Sequence, residues 1–532
     1  PVSPSPTTLR PRAAMRGRVR HVAPWAMLVL ATLARLAVCA WMPLSADEAY
    51  YRVWSKALAP GYLDHPPMVA LWIWAGTAIA GDTALGIRLL GPLAAMLGTI
   101  LLVQAARDLA PPGRARAAGL RAGWLLNATL LLNAGAVIMT PDTPLLLFWT
   151  ATLAAMARLI RTGRATWWLA AGTAAGLALD SKYTAFLLAP GLLAWMVAVP
   201  AARPWLRRWQ PYAGAALAAA LFMPVLGWNA AHGWASFGKQ GGRGGDFHLS
   251  HALGDLAELL GGQIGLATPL VFAVFVAGVA ACARRGRWRD PAIGLVLTVT
   301  ALPALVFVQH ALGDRVQGNW PSVIYPGAAL AAGLAAIPFW RVAAASGIAV
   351  SGLLYVQGVA APWHLPRRVD FTLIRLAGWD DLAAAAARAA QASQAGYIAA
   401  DEYGLAAELA FRLASPVVGA EKRWALFRLP PAVLAGQTGL LVRSDRRAGG
   451  PDPAVWPGAA LIGHARRARA GIVAESYSFY RVTAPHGLPC VLLPDGVLPN
   501  GVQPDGLLPN GVQPDGLLPN GVQPDGVQPP GG

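Results

Sequence analysis

Residues 41–69 read "WMPLSADEAYYRVWSKALAPGYLDHPPMV". An apolar run at about 22–42 ends inside this stretch. That run is close to the roughly 20 residues a helix needs to cross the hydrocarbon core of a bilayer. Ser45 followed three residues later by Glu48 is the sequence pattern of a capping box, so a second helix is expected to begin at once. Its apolar face carries Tyr50, Val53, Trp54, Ala57 and Leu58. This is the spacing of an amphipathic helix lying on a membrane surface, with aromatic anchors. No convincing small-residue cleavage site precedes Ser45, so the first span is expected to be retained. A span followed directly by a surface helix predicts an α-helical polytopic membrane protein.

Composition points the same way. Of 532 residues, 55% are hydrophobic and 13% charged, where soluble proteins carry about 25% charged residues. Further apolar runs fall at about 84–106, 121–139, 144–160, 166–180, 183–199, 212–228, 264–283, 291–310, 321–339 and 342–362. With the first, these predict about eleven to thirteen transmembrane helices. The run at about 68–80 is short for a crossing and is expected to be re-entrant or interfacial. A net charge of +17 would suggest nucleic acid in a soluble protein; here basic cytoplasmic loops explain it and no nucleic-acid partner is expected. Three cysteines do not make a disulfide framework.

With the N-terminus inside, the inner segments up to residue 362 hold twenty lysines and arginines and the outer segments seven. That bias sets the orientation. Arg35 lies within the first span and belongs to neither set. The acids behave oppositely: Asp108 and Asp290 fall inside, whereas ten, from Asp47 to Asp314, fall outside. Their gathering on one face predicts an extracytoplasmic site. The expected organisation is a basic cytoplasmic segment at 1–21, a transmembrane domain at 22–362 and a small periplasmic α/β domain at 363–483. In the last, "LAGWDDLAAAAARAAQAS" and "DEYGLAAELAFRLA" read as helices and "AGYIAA", "TGLLVRSD" and "AGIVAESYSFYRV" as strands. Residues 484–532 contain the repeat "LLPNGVQPDG", whose proline and glycine predict disorder.

Candidate site residues come from six outer loops. Asp47 is not needed for the cap and is the first candidate for chemistry; Glu48 has both cap and chemistry open to it. Asp64 and His65 stand in "YLDHPPM", where prolines bar a helix interior. Asp142 lies in "MTPDTP". Lys182, in "LALDSKYTAF", either pairs with Asp180 or receives a lipid phosphate. His232, Lys239 and Arg243 share a glycine-rich loop, and Arg315 stands in "GDRVQGNWP". Acids, cations and amides in one plane suit transfer of a sugar from a phosphate carrier to a hydroxyl. A carboxylate takes the proton of the nucleophile, and cations or a metal receive the departing phosphate. A divalent ion held by Asp64 with His65 and His232 is an open alternative; no cofactor is otherwise implied.

"DEAYY", "YLDHPP", "TPDTP", "SKYTA", "WNAAHGWASF" and "NWP", in this order, resemble the bacterial polyprenyl-phosphate-dependent glycosyltransferases. These include the dolichyl-phosphate-mannose protein mannosyltransferase-like group and the aminoarabinose transferases of lipid A, glycosyltransferase families 39 and 83. The resemblance implies the GT-C fold, an inverting transfer and an essential acid in the first outer loop, which Asp47 matches. Asp142 matches the acid of the second outer loop, and Asp64 the acid before a basic-Pro-Pro triplet. His65 departs from the lysine usual there in aminoarabinose transferases. Relatives with His-Pro-Pro include galacturonosyl transferases acting on lipopolysaccharide core. The implied partners are a polyprenyl-phosphate-linked sugar, an envelope glycan or glycolipid acceptor, and the bilayer of the inner membrane. The alternatives are a transporter or flippase of a lipid-linked glycan, a protein O-mannosyltransferase and a non-catalytic envelope assembly protein.

Overall fold

The computed structural model describes residues 10–241, 249–284, 286–429, 434, 436–484 and 490–492. Arg243 and the repeat tail lie outside the described residues.

In hydrocarbon every backbone polar group must be satisfied within its own segment, and each expected apolar run folds as helix. The chain begins α1 (Arg10–Trp41), α2 (Ala46–Lys56), α3 (Met68–Ala80), α4 (Ala84–Arg88), α5 (Leu90–Leu109), α6 (Ala115–Asn127), α7 (Leu130–Val137), α8 (Asp142–Thr162) and α9 (Trp167–Leu179). It continues α10 (Leu188–Ala198), α11 (Gln210–Ala231), α12 (Ala235–Gly241), α13 (Leu249–Ala267), α14 (Pro269–Cys282), α15 (Pro291–His310), α16 (Ile324–Ala335) and α17 (Trp340–Val359).

Among the described residues, six helical segments are long and apolar enough to cross a membrane: Ala23–Trp41, Ala84–Leu109, α8, α11, α15 and α17. They become seven if α13 and α14, bent by 105° at Thr268, count as one. The other expected spans are shorter or broken pieces. The run at 121–139 breaks at Thr129, whose hydroxyl accepts from the Leu132 N–H and starts α7. Trp41, Leu30 and Leu33 on α1 are exposed, as a lipid-facing surface requires. The protein is a multi-pass membrane protein.

Beyond α17 come α18 (Phe371–Leu376), α19 (Trp379–Ala392), β1 (Tyr397–Ala400), α20 (Tyr403–Arg412), β2 (Val417–Gly419), β3 (Thr438–Ser444), β4 (Ala460–Arg469), β5 (Ile472–Thr483) and β6 (Cys490–Leu492). The strands form one sheet in the order β4-β5-β3-β1-β2-β6. β1 runs parallel to β2 and β3; the other pairs are antiparallel. The sheet thus extends past the expected boundary at 483, because β6 pairs with β2 through Val418 opposite Val491.

α2 corrects one expectation. It is a helix with the expected capping box, but residues Glu48–Ser55 are all buried. Its aromatic face meets protein rather than lipid. Tyr50 packs on Tyr403, Trp424 and Phe427, with ring centroids 4.5, 5.4 and 6.2 Å apart. Trp54, Tyr62 and Ile73 of the membrane body join Leu405, Leu409, Ile398 and Leu440 of the α/β domain in one apolar core. Gly404 makes the approach possible, since a Cβ there would stand 2.9 Å from the Ala46 Cβ. The seam between body and domain is therefore a continuous core, and Asp47 and Asp64 line its edge.

Candidate functional site

The capping pair of α2 separates into two roles. Both oxygens of Glu48 are occupied. They accept from the Ser45 N–H at 3.0 Å and its hydroxyl at 2.9 Å, from Arg88 Nε at 2.6 Å and Nη2 at 2.7 Å, and from the Met139 N–H at 3.0 Å. Arg88 also donates to the Met42 carbonyl at 2.5 Å and the Pro43 carbonyl at 2.8 Å. Both side chains are fully buried. Glu48, for which both cap and chemistry are open in the sequence, ties the end of α1 to α4 and to the turn before α8, and each of its oxygens accepts two or more hydrogen bonds.

Asp47, the next residue back, is half-buried. Among the described residues its carboxylate accepts one hydrogen bond, from the Tyr403 hydroxyl at 3.3 Å. Burial pushes its pKa above the ordinary value, with Arg375 and the Tyr403 bond opposing the rise. It is a carboxylate in reach of the seam with acceptor capacity remaining.

Asp64 stands in the loop that closes over α2. It accepts from the Tyr50 hydroxyl at 2.8 Å, from Lys239 of α12 and from Arg423 Nη1 at 3.3 Å. Burial alone would raise its pKa, but Lys239 and Arg423 outweigh that and hold it at about 2. Arg423 also lies 4.1 Å from the Tyr403 ring centroid, a cation–π contact. The Gln240 amide secures the loop by donating to the Asp64 carbonyl at 2.8 Å.

Asp142 opens α8, where the positive helix end favours an acid. Lys182 Nζ donates to its two oxygens at 2.9 and 2.8 Å, Asn319 Nδ2 at 2.6 Å and Ser322 Oγ at 3.0 Å. Lys182 therefore pairs with Asp142, not with Asp180. Asp180 Oδ1 is buried with no hydrogen bond among the described residues, and burial pushes that carboxyl up to about 7. The Asp180 carbonyl accepts from the Met68 N–H at 3.0 Å, so the loops bearing Asp64 and Lys182 are fastened together.

The other expected residues that are described make contacts of their own, and the charge of His65 favours the ionised form of Asp64. Arg315 makes an exposed ion pair with Glu258. His232 stacks on Trp228 at 4.2 Å and its Nδ1 bonds the Trp228 carbonyl at 2.7 Å, while His65 packs beside Tyr51. Among the described residues no three His, Cys, Asp or Glu side chains come together as a metal site, so the metal alternative gains no support. Sequence reasoning missed Arg375, Tyr403 and Arg423, which the α/β domain supplies. The signal available was "EKRWALF", a cation directly before an aromatic pair.

With this geometry in hand, comparison with known proteins is informative. A profile of the family described as dolichyl-phosphate-mannose-protein mannosyltransferase matches residues 64–228. The chain is 28% identical over 299 residues to the lipid A galacturonosyltransferase RgtD of Rhizobium johnstonii. That match takes in 51% of this chain and spans 58% of the relative. Among solved structures, ArnT from Cupriavidus metallidurans bound to undecaprenyl phosphate superposes with a TM-score of 0.58 at 16% identity, over 86% of this chain and 98% of that one. Its apo state gives 0.56 at 14% identity, over 90% of this chain and all of the other. At these identities the likeness is one of architecture: the chain has the fold of ArnT, the GT-C fold.

Proposed function

We propose that the protein is a glycosyltransferase that moves a sugar from a polyprenyl-phosphate carrier to a hydroxyl of lipid A or a related envelope glycolipid. The transfer takes place on the periplasmic face of the inner membrane. The observation that carries the reading is the contrast among four acids: from the described residues Glu48, Asp64 and Asp142 each accept three or more hydrogen bonds, whereas Asp47 accepts one, at 3.3 Å. Asp47 takes the proton of the acceptor hydroxyl. The acceptor oxygen then forms its bond to the anomeric carbon as the bond from that carbon to the phosphate oxygen breaks. The electron pair leaves with the carrier phosphate, and the anomeric centre inverts. Lys239 and Arg423 stand beside the seam to receive the negative charge. Asp64 holds those two cations, and Asp142 holds Lys182 for the same end of the site. The bound carrier phosphate of ArnT and the lipid A acceptor in the name of RgtD support this choice of donor and acceptor. The mannosyltransferase profile favours a protein hydroxyl as the second reading.

The test is purified full-length protein with a panel of radiolabelled polyprenyl-phosphate sugars and lipid A, core oligosaccharide or peptide acceptors. Asp47→Asn should lower kcat by about 10²–10⁴-fold, the range for loss of a general base. Transfer that survives Asp47→Asn removes the base assignment. Absence of transfer with every donor, together with movement of a lipid-linked glycan in liposomes, replaces the enzyme with a transporter.

A further inference from the structure

Four arginines are buried among the described residues: Arg35, Arg52, Arg88 and Arg467. Three have a carboxylate: Arg52 has Asp82, Arg88 has Glu48 and Arg467 has Glu475. Arg35 makes no ion pair with any described residue. It lies within the span Ala23–Trp41 and is 3% exposed. Its Nη2 donates to Asn127 Oδ1 and Asn133 Oδ1, each at 2.9 Å, and its Nη1 has no hydrogen bond among the described residues. The groups around it are neutral. Asn133 Nδ2 donates to Ser351 Oγ at 3.1 Å, and the Tyr355 hydroxyl donates to the Asn133 carbonyl at 2.8 Å.

A cation held in a membrane interior without a counterion is costly, and such residues mark sites that bind something. Neutral amides alone would tie α1 to α6 and α7 at lower cost. Arg35 lines a cavity of about 300 Å³ between α1, α5, α6 and α17, within the range of about 300–1,000 Å³ for small-molecule sites. Arg35 is the one charged residue of its lining; the walls are mainly apolar, including Trp25, Leu28, Val103, Leu120 and Ile348. Trp25 and Ile348 are 41% and 39% exposed, so the cavity borders on the lipid-facing surface. Arg35 stands six residues before the end of α1, about 9 Å along the axis at 1.5 Å per residue. A chain reaching from there to Trp25 would lie mainly against apolar wall.

We propose that this groove binds an anionic phospholipid, its phosphate on Arg35 and one acyl chain along α1, α6 and α17. The site is separate from the acids at the seam and does not depend on the proposed reaction. Charge complementarity and the apolar wall support this occupant, and at about 300 Å³ the groove suits one short acyl chain rather than a long polyprenyl chain.

The test is native mass spectrometry of the full chain with phosphatidylglycerol or phosphatidylcholine of the same acyl composition. The wild type should retain one phosphatidylglycerol about tenfold more strongly, because the choline cation of phosphatidylcholine offsets its phosphate and repels Arg35, whereas the glycerol headgroup leaves the phosphate charge to the guanidinium. Arg35→Gln should abolish the preference and Arg35→Lys restore part of it. Gly352→Leu fills the groove, where an added Cβ meets nothing within 4 Å; it should lose the bound lipid while Arg35 stays in place. Equal retention of both lipids by the wild type overturns the proposal, as does undiminished phosphatidylglycerol retention in Gly352→Leu. If Arg35→Gln fails to fold, the Gly352→Leu result decides alone.

Discussion

Neighbouring carboxylates in one seam differ in what surrounds them, and that difference can be read in solution. Asp47 must be ionised to take a proton, and burial raises its pKa above 3.8. The acid limb of the rate profile should therefore lie above about pH 4 and reflect Asp47, since Asp64 is held near 2. A profile flat down to pH 4 would remove Asp47 from the step. Glu48 and Arg88 call for a different experiment. Breaking a buried ion pair from one side costs about 3–5 kcal/mol, whereas replacing both partners with apolar groups of similar volume costs much less. Glu48→Gln should lower Tm in a detergent melt more than a Glu48→Met/Arg88→Met double replacement does. The opposite order would show that Glu48 is not a structural tie.

At the scale of elements, the contact of α2 with α20 is the sensitive joint. Gly404→Leu would force a side chain against Ala46, and overpacking of this kind typically costs about 1–3 kcal/mol. The expected outcome is faster proteolysis between α17 and α19 together with loss of transfer. Glu408, on the same helix, adds a pH dependence. Burial pushes its carboxyl up to about 7, against 4.5 when unfolded, with Arg412 opposing. The unfolded chain releases this proton first, so stability from this group is full below about pH 4.5 and is lost as pH rises through about 7. Glu408→Gln should raise Tm at pH 8 relative to wild type and flatten the fall between these limits. The helices of this region were legible in the sequence: the Ser45–Glu48 spacing marked α2 and the alanine-rich run marked α19. What α2 would face was not legible, because an aromatic stripe reads alike whether lipid or protein covers it. β4 escaped notice because "ALIGHARRAR" carries arginines where a strand core is expected. Arg467 is buried there by stacking 3.7 Å over Trp379 and bonding Tyr477 and Glu475, a solution visible only in three dimensions.

For the whole molecule, the candidate acids of the membrane body could be picked out in the sequence and their partners could not. Asp47, Asp64 and Asp142 stood out because acids beside apolar spans are unusual. Arg423 reaches Asp64 across 359 residues of chain, a separation that local pattern does not bridge. A chain cut after Val359 should still enter the membrane, because the six candidate spans precede that point. It should nonetheless show no transfer and should aggregate through the uncovered face of α2; transfer by that fragment would remove the domain from the site.

The shared core also sets an order of events in synthesis. The spans leave the ribosome long before Tyr403, Trp424 and Phe427 are made, so Tyr50 and Trp54 wait uncovered in each newborn chain. Only translation past Phe427 can cover them and bring Arg423 to Asp64. A chain interrupted midway is thus expected to be inserted but inert, since the contact of Arg423 with Asp64 forms only once the α/β domain has been made.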